Sequence, residues 1–168
     1  VDTLVAGRHF PLDTPPDAIA HKALAVNLSD LAAMGATPRW FLLALTLPEA
    51  DDAFLEPFAR GLWALADAAG VALVGGDTTR GPLAVSITAL GTVKAGQALR
   101  RAGARPGDGI YVSGTVGDAG LGLRLALTPE QVRLSPEEAV FVRGRLDRPE
   151  PRLALGLALR GRATACLD

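Results

Sequence analysis

The sequence predicts an α+β protein: a layered mixed sheet with helices on one face, followed by the start of a second α+β domain. Three observations carry this. Apolar segments up to Val93 follow the order strand, helix, strand, helix, strand, strand, which suits a single layered sheet. Between Lys94 and Asp108 the composition shifts to glycine, proline and arginine, as in a linker. After Asp108 a fresh set of apolar periods begins. A chain of 168 residues, 49% apolar and 21% charged, can bury a sizeable core, which argues against disorder and a disulfide-stapled mini-protein. The expected division is therefore an N-terminal domain over residues 1–93, a linker over 94–108 and a partial C-terminal domain over 109–168.

Val1–Val5 reads as a strand running into a loop with Arg8, His9 and Phe10. Pro15-Pro16-Asp17 marks a helix start, and Leu24, Leu28 and Leu31 give helical spacing over Asp17–Met34. Gly35 and Pro38 stop that helix. Arg39–Leu47 is dense in bulky apolar residues and reads as a buried strand. Asp52–Ala69 is a second helix with Leu55, Phe58, Leu62 and Leu65 inward and Gly70 as its stop; Pro57 fits near its first turn or kinks it. Val71–Val74 predicts a short buried strand broken by the turn Gly75–Pro82, and Leu83–Val93 a long strand. In the second part, Ile110–Ser113 predicts a strand, Gly117–Leu127 a helix, and Ser135–Arg145 a helix capped by Ser135-Pro136-Glu137-Glu138. Arg152–Arg160 predicts a further helix, and Ala163–Leu167 the beginning of a strand.

Charge and special residues narrow the function classes. Seventeen basic against eighteen acidic residues leave a net charge of -1, with no electrostatic footprint for nucleic acid and no polybasic membrane patch. No apolar run is long enough to span a bilayer and no signal peptide opens the chain. One cysteine, Cys166, cannot form an internal disulfide, which suits the cytoplasm. Only Lys22 and Lys94 are lysines.

The common nucleotide and hydrolase motifs are missing. There is no G-x-x-x-x-G-K-[ST], Gly117–Gly122 lacks the spacing of G-x-G-x-x-G, and no nucleophile elbow occurs. Two histidines and one cysteine make a His/Cys zinc site improbable. Acidic residues at the ends of apolar elements remain: Asp2, Asp30, Asp77 and Asp168. Carboxylates facing one cleft repel each other unless cations join them, and hard oxygen ligands suit Mg²⁺ bridging to phosphates. Asp30 sits in an otherwise apolar helix and shares a face with Asn27, three residues away. It reads either as a ligand or as the solvated edge of an amphipathic helix. The Gly75-Gly76-Asp77-Thr78 turn reads as a place where a ligand can approach the main chain closely, or as a plain loop before a strand. His9 is a surface-loop residue or a ligand contact, and Arg100 and Arg101 are solvated charges or a phosphate clamp.

At these motifs the sequence resembles the thiamine-monophosphate kinases, of the superfamily that includes aminoimidazole ribonucleotide synthetase and selenophosphate synthetase. The matching stretches are Val1–Phe10, Lys22–Pro38 (KALAVNLSDLAAMGATP), Gly75–Pro82 (GGDTTRGP), Arg101–Asp108 (RAGARPGD), Tyr111–Gly117 (YVSGTVG) and Cys166-Leu167-Asp168, in family order across nearly the whole chain. The resemblance implies a synthetase-type N-terminal domain, transfer of the γ-phosphate of ATP to thiamine monophosphate with several Mg²⁺ ions, and a homodimer paired through first-domain strands. Carried over by position, it implies metal ligands at Asp2, Asp30, Asp77 and Asp168, ATP contacts at Gly76, Asp77 and Arg101, and a thiamine monophosphate contact at His9. No catalytic base is implied, because the phosphate acceptor is already nucleophilic.

The alternatives are another ATP-dependent member of the superfamily, or a non-catalytic module that binds nucleotide or dimerises. The family's acidic, glycine-rich segment before the first strand is not in this sequence. Val1 stands where a threonine often does, so a metal contact there uses only its backbone. The chain also stops before the Ser-Asp-Gly that usually follows Asp168. The expectation is an internal fragment, inactive on its own.

Overall fold

The computed structural model describes residues 1–168. Its first half is built of β1 (Asp2–Val5), α1 (Pro16–Ala33), β2 (Thr37–Leu47), α2 (Asp52–Ala69), β3 (Ala72–Arg80) and β4 (Ala84–Thr92), the order the apolar periods predict. The four strands form one mixed sheet in the order β1-β4-β2-β3, with β2 and β3 parallel and the other two pairs antiparallel.

Alternation along the strands decides which face is covered. Phe41, Leu45 and Leu47 of β2, Val85 and Ile87 of β4 and Leu4 of β1 are buried with Ile19, Leu24 and Leu28 of α1 and Phe58 and Leu62 of α2. Trp40, Leu42 and Leu90 point the other way and are about half exposed. Both helices therefore cover one face, as expected, and the opposite face carries apolar side chains without a cover.

Helix α1 is central. Its buried residues occur on nearly every side because α2, the sheet and a later helix all pack against it. The approach of α2 is close at Gly61, where a Cβ would lie 2.2 Å from Asp17 O. Asp51 caps α2 by accepting from Ala53 N–H at 3.0 Å, and Gly70 ends it at φ 63. Pro57 lies inside α2, which continues through it at the loss of one backbone donor.

The Gly75–Pro82 turn predicted from sequence is not a turn up to Arg80. β3 runs unbroken from Ala72 to Arg80 and is largely exposed rather than buried. The long β2 supplies ladder partners as far as Leu47↔Arg80, so pairing overrides the local glycine signal. Gly76 is needed there, since a Cβ would sit 1.8 Å from Leu43 O.

The second half contains α3 (Asp118–Leu127), a 3-10 turn (Pro129–Gln131), α4 (Pro136–Asp147) and α5 (Leu153–Ala158). Ser135 and Glu138 form a reciprocal capping box on α4. The strands expected at Ile110–Ser113 and Ala163–Leu167 do not form. Neither segment has a neighbouring strand to complete a ladder, and Ile110 and Tyr111 stand over 90% exposed. Helix α5 packs on α1, with Gly156 so near Ala32 that a Cβ would lie 2.1 Å from its carbonyl oxygen. Arg160 locks this end by donating from Nε to Gly35 O (2.5 Å) and from Nη2 to Thr37 Oγ1 (3.1 Å).

Candidate functional site

A cleft of about 500 Å³ opens where the first strand, the C-terminal half of α1, residues 99–101 and residues 166–168 meet. Two backbone threads bring these together. Leu99 N–H donates to Met34 O at 3.1 Å, and Cys166 N–H donates to Arg100 O at 3.0 Å. Thr164 Oγ1 also donates to Asp108 Oδ2 at 2.7 Å. The last residues thus lie along the linker rather than in a sheet, and Asp168 arrives beside Arg101, Nη2 to Oδ1 3.7 Å.

Asn27 and Asp30 project from α1 into this cleft. Asn27 is 2% exposed and fully used: Nδ2 donates to Ala23 O at 2.9 Å, and Oδ1 accepts the Asp2 N–H at 3.2 Å. That bond fixes β1 on α1 and sets Asp2 beside Asp30. The Asp30 carboxyl is held above its ordinary range, first by burial and then by the charge and hydrogen bond of Asp168 and the charge of Asp2. Two of the four carboxylates expected from sequence, Asp30 and Asp168, therefore line one cleft, and Asp2 adds its charge beside them. As arranged, no three acidic, histidine or cysteine side chains are close enough to hold one ion.

Asp77 is elsewhere. It pairs in register with the exposed Ala44, so it stands on the uncovered sheet face, and its Oδ1 accepts from Thr78 N–H at 2.9 Å. Asp2 pairs with the buried Ile87 and faces the helices. The two residues occupy opposite edges of the sheet, about 14 Å apart at three strand spacings. Gly76 is on β3 with Asp77, away from the cleft, whereas Arg101 lines it.

His9 lies in the loop after β1, which Gly7 turns at φ 71. Val5 N–H donates to His9 Nδ1 at 3.0 Å, so the neutral ring carries its proton on Nε2 and presents it outward as a donor. The sequence offered Arg100 with Arg101 as solvated charges or a phosphate clamp, and both line the cleft, whereas the role of Asn27 in joining β1 to α1 was not foreseen. An amide on an otherwise apolar helix was the available signal for Asn27.

The fold and the crowded acidic cleft define a class before any single relative is considered. A family model described as AIR synthase related protein, N-terminal domain, matches residues 1–93, and the chain belongs to that family. Within it, the chain is similar to the thiamine-monophosphate kinase of Salmonella typhimurium (strain LT2), 52% identical over 168 residues, which are 99% of this chain and 51% of that protein. The crystal structure of thiamine-monophosphate kinase from Stenotrophomonas maltophilia K279a superposes with a TM-score of 0.89 at 55% identity, covering 98% of this chain and 53% of that one. AaThiL complexed with AMPPCP and TMP superposes with a TM-score of 0.88 at 33% identity, over 98% of this chain and 52% of that one. The chain spans about half the length of the curated relatives it matches. No helix is long and apolar enough to cross a membrane.

Proposed function

We propose that the protein carrying this chain phosphorylates thiamine monophosphate to thiamine diphosphate with ATP, in the cytoplasm. The observation that carries this is the convergence of Asp30 and Asp168 with Arg101 in one cleft, with Asp2 beside it, in a chain 52% identical to a thiamine-monophosphate kinase. Residues 1–93 serve as the nucleotide, metal and pairing domain, 94–108 as the linker and 109–168 as part of the second domain.

Mg²⁺ fits the donors present. Three carboxylates of like charge raise the Asp30 carboxyl through burial and mutual repulsion, an arrangement that a hard cation relieves. No three of these side chains are now close enough to share one ion, so Asp2, Asp30 and Asp168 would hold Mg²⁺ by drawing together or through separate ions and waters, with Asp77 as a further ligand from a second copy, and bound metal would supply neutralisation of phosphate charge. Arg101 then clamps phosphate from the rim, while His9 offers its Nε2–H to the acceptor's phosphate. The acceptor oxygen is already anionic, so alignment and charge neutralisation suffice without a general base.

Asp77 and Gly76 join this site through a second copy. Trp40, Leu42, Leu90 and Val74 leave the outer sheet face apolar and open, and both edge strands, β1 and β3, are unpaired on one side. A homodimer that covers this face and brings β3 of one copy near β1 of the other sets Asp77 and Gly76 near Asp2. The test is an acceptor panel with the full-length protein, Mg-ATP and thiamine monophosphate, selenide or formylglycinamidine ribonucleotide. ADP release with thiamine monophosphate alone supports the reading; preference for another acceptor moves the protein to a different branch of the superfamily.

A further inference from the structure

Lys22, the first residue of the stretch that also carries Asp30, has no part in the proposed chemistry, yet it holds the His9 loop beside the second half of the chain. Its Nζ donates to His9 O at 2.9 Å. The His9 loop is thereby held at three points: the carbonyl by Lys22, the backbone N–H by Val5 O at 2.9 Å, and ring Nδ1 by Val5 N–H. Only Nε2–H remains to meet a ligand.

Lys22 also stands on a seam between α1 and the end of α4. Asp17 accepts from Arg148 Nη2 at 2.5 Å, and His21 Nε2 donates to Pro149 O at 2.9 Å. Between these partners lies Asp147, only 8% exposed. Its Oδ2 accepts from Arg143 at 3.1 Å, but its Oδ1 is buried without a partner. An orphaned buried carboxylate oxygen is costly. The Lys22 ammonium makes neither ion pair nor hydrogen bond with that carboxylate, but it feels its charge across the seam and has N–H groups beyond the one spent on His9. Burial lowers the Lys22 ammonium's affinity for its proton, and Asp147 opposes that.

We propose that Lys22 is a positioning residue: through its bond to the His9 carbonyl, and with the charge of Asp147 across the seam keeping its ammonium in place, it holds His9 in the orientation that receives the phosphate of the acceptor. This rests on the kinase reading, since it assigns His9 to the acceptor.

The experiment uses the full-length protein with Lys22→Met, Asp147→Asn and the double variant, checked for folding by thermal melting. A hydrogen bond to a charged group is lost, so KM for thiamine monophosphate rises about tenfold in Lys22→Met. The kcat and the KM for ATP stay within about twofold, and the double variant is no worse than Lys22→Met because the two residues act as a unit. Without any substrate, hydrogen exchange of the His9 loop amides speeds up and the ¹⁵N shift of His9 Nδ1 changes. If Lys22→Met cannot fold, Asp147→Asn alone still raises that KM. An unchanged KM with unchanged His9 signals, or equal losses for ATP and acceptor, overturns the proposal. If the wild-type protein transfers no phosphate, the kinase reading falls, and the exchange and ¹⁵N comparison alone decides the positioning role.

Discussion

Replacing Asp30 by Asn has opposite effects with and without divalent cation. Asp30 has Asp168 and Asp2 as like-charged neighbours, offset in part by the terminal ammonium and by the ion pair of Asp168 with the exposed Arg101 at 3.7 Å. Like charges a few ångström apart at a solvated site repel by about 1 kcal/mol per pair, and salt removes part of that. With two such neighbours, the variant gains about 1 kcal/mol in EDTA, which raises the melting temperature by about 2–4 °C for a domain of this size. Magnesium at a tenfold excess over its dissociation constant stabilises the wild type by about 1.4 kcal/mol, and the variant loses most of that gain. Differential scanning calorimetry at pH 7 in EDTA and in MgCl₂ measures both. A lower melting temperature in EDTA means that Asp30 is a stabilising partner rather than a strained ligand. An equal magnesium response in the two proteins removes it from the metal site.

Three other perturbations probe the scaffold that holds the cleft. Gly61→Ala forces a Cβ to within 2.2 Å of Asp17 O, so α1 and α2 must separate; chemical denaturation registers a loss of about 1–3 kcal/mol. Ser135→Ala removes half of the capping box on α4 and costs about 1 kcal/mol in the same assay. The third is a pH effect. Burial pushes the Asp17 carboxyl up, but the hydrogen bond and charge of Arg148 outweigh it and leave the group below its ordinary range. A carboxyl lowered by folding contributes stability above its unfolded pKa and loses it as pH falls through the folded one. Melting temperature therefore declines below about pH 5, and Arg148→Met makes that decline shallower. A variant with the same acid limb as the wild type rules out the pair.

The first-half architecture was legible because apolar side chains recur at helical or alternating spacing and are punctuated by Gly35, Gly70 and the Pro15-Pro16 pair. Asp51 and Ser135 cap where capping chemistry places them. What local patterns could not reveal was pairing. Gly75-Gly76-Asp77 has the composition of a turn, yet the length of β2 draws it into a strand. Ile110–Ser113 has the composition of a strand, yet finds no ladder. In the site, the acidic residues Asp2, Asp30 and Asp168 stood out as charges at apolar boundaries, and tertiary contacts bring them together. Asp77 stood out by the same signal but lies across the sheet, because chain order says nothing of which edge a strand occupies. The Lys22–His9 contact was beyond the sequence too, since it links a loop backbone carbonyl to a side chain on a helix face.

Phosphoryl transfer itself is the most direct test of the account. The full-length protein, incubated with Mg-ATP and thiamine monophosphate, is followed by ³¹P NMR. The γ-phosphorus of ATP disappears as the two signals of thiamine diphosphate and those of ADP rise in equal amounts, and EDTA stops all three changes. Inorganic phosphate in place of thiamine diphosphate, or transfer that persists in EDTA, would contradict it.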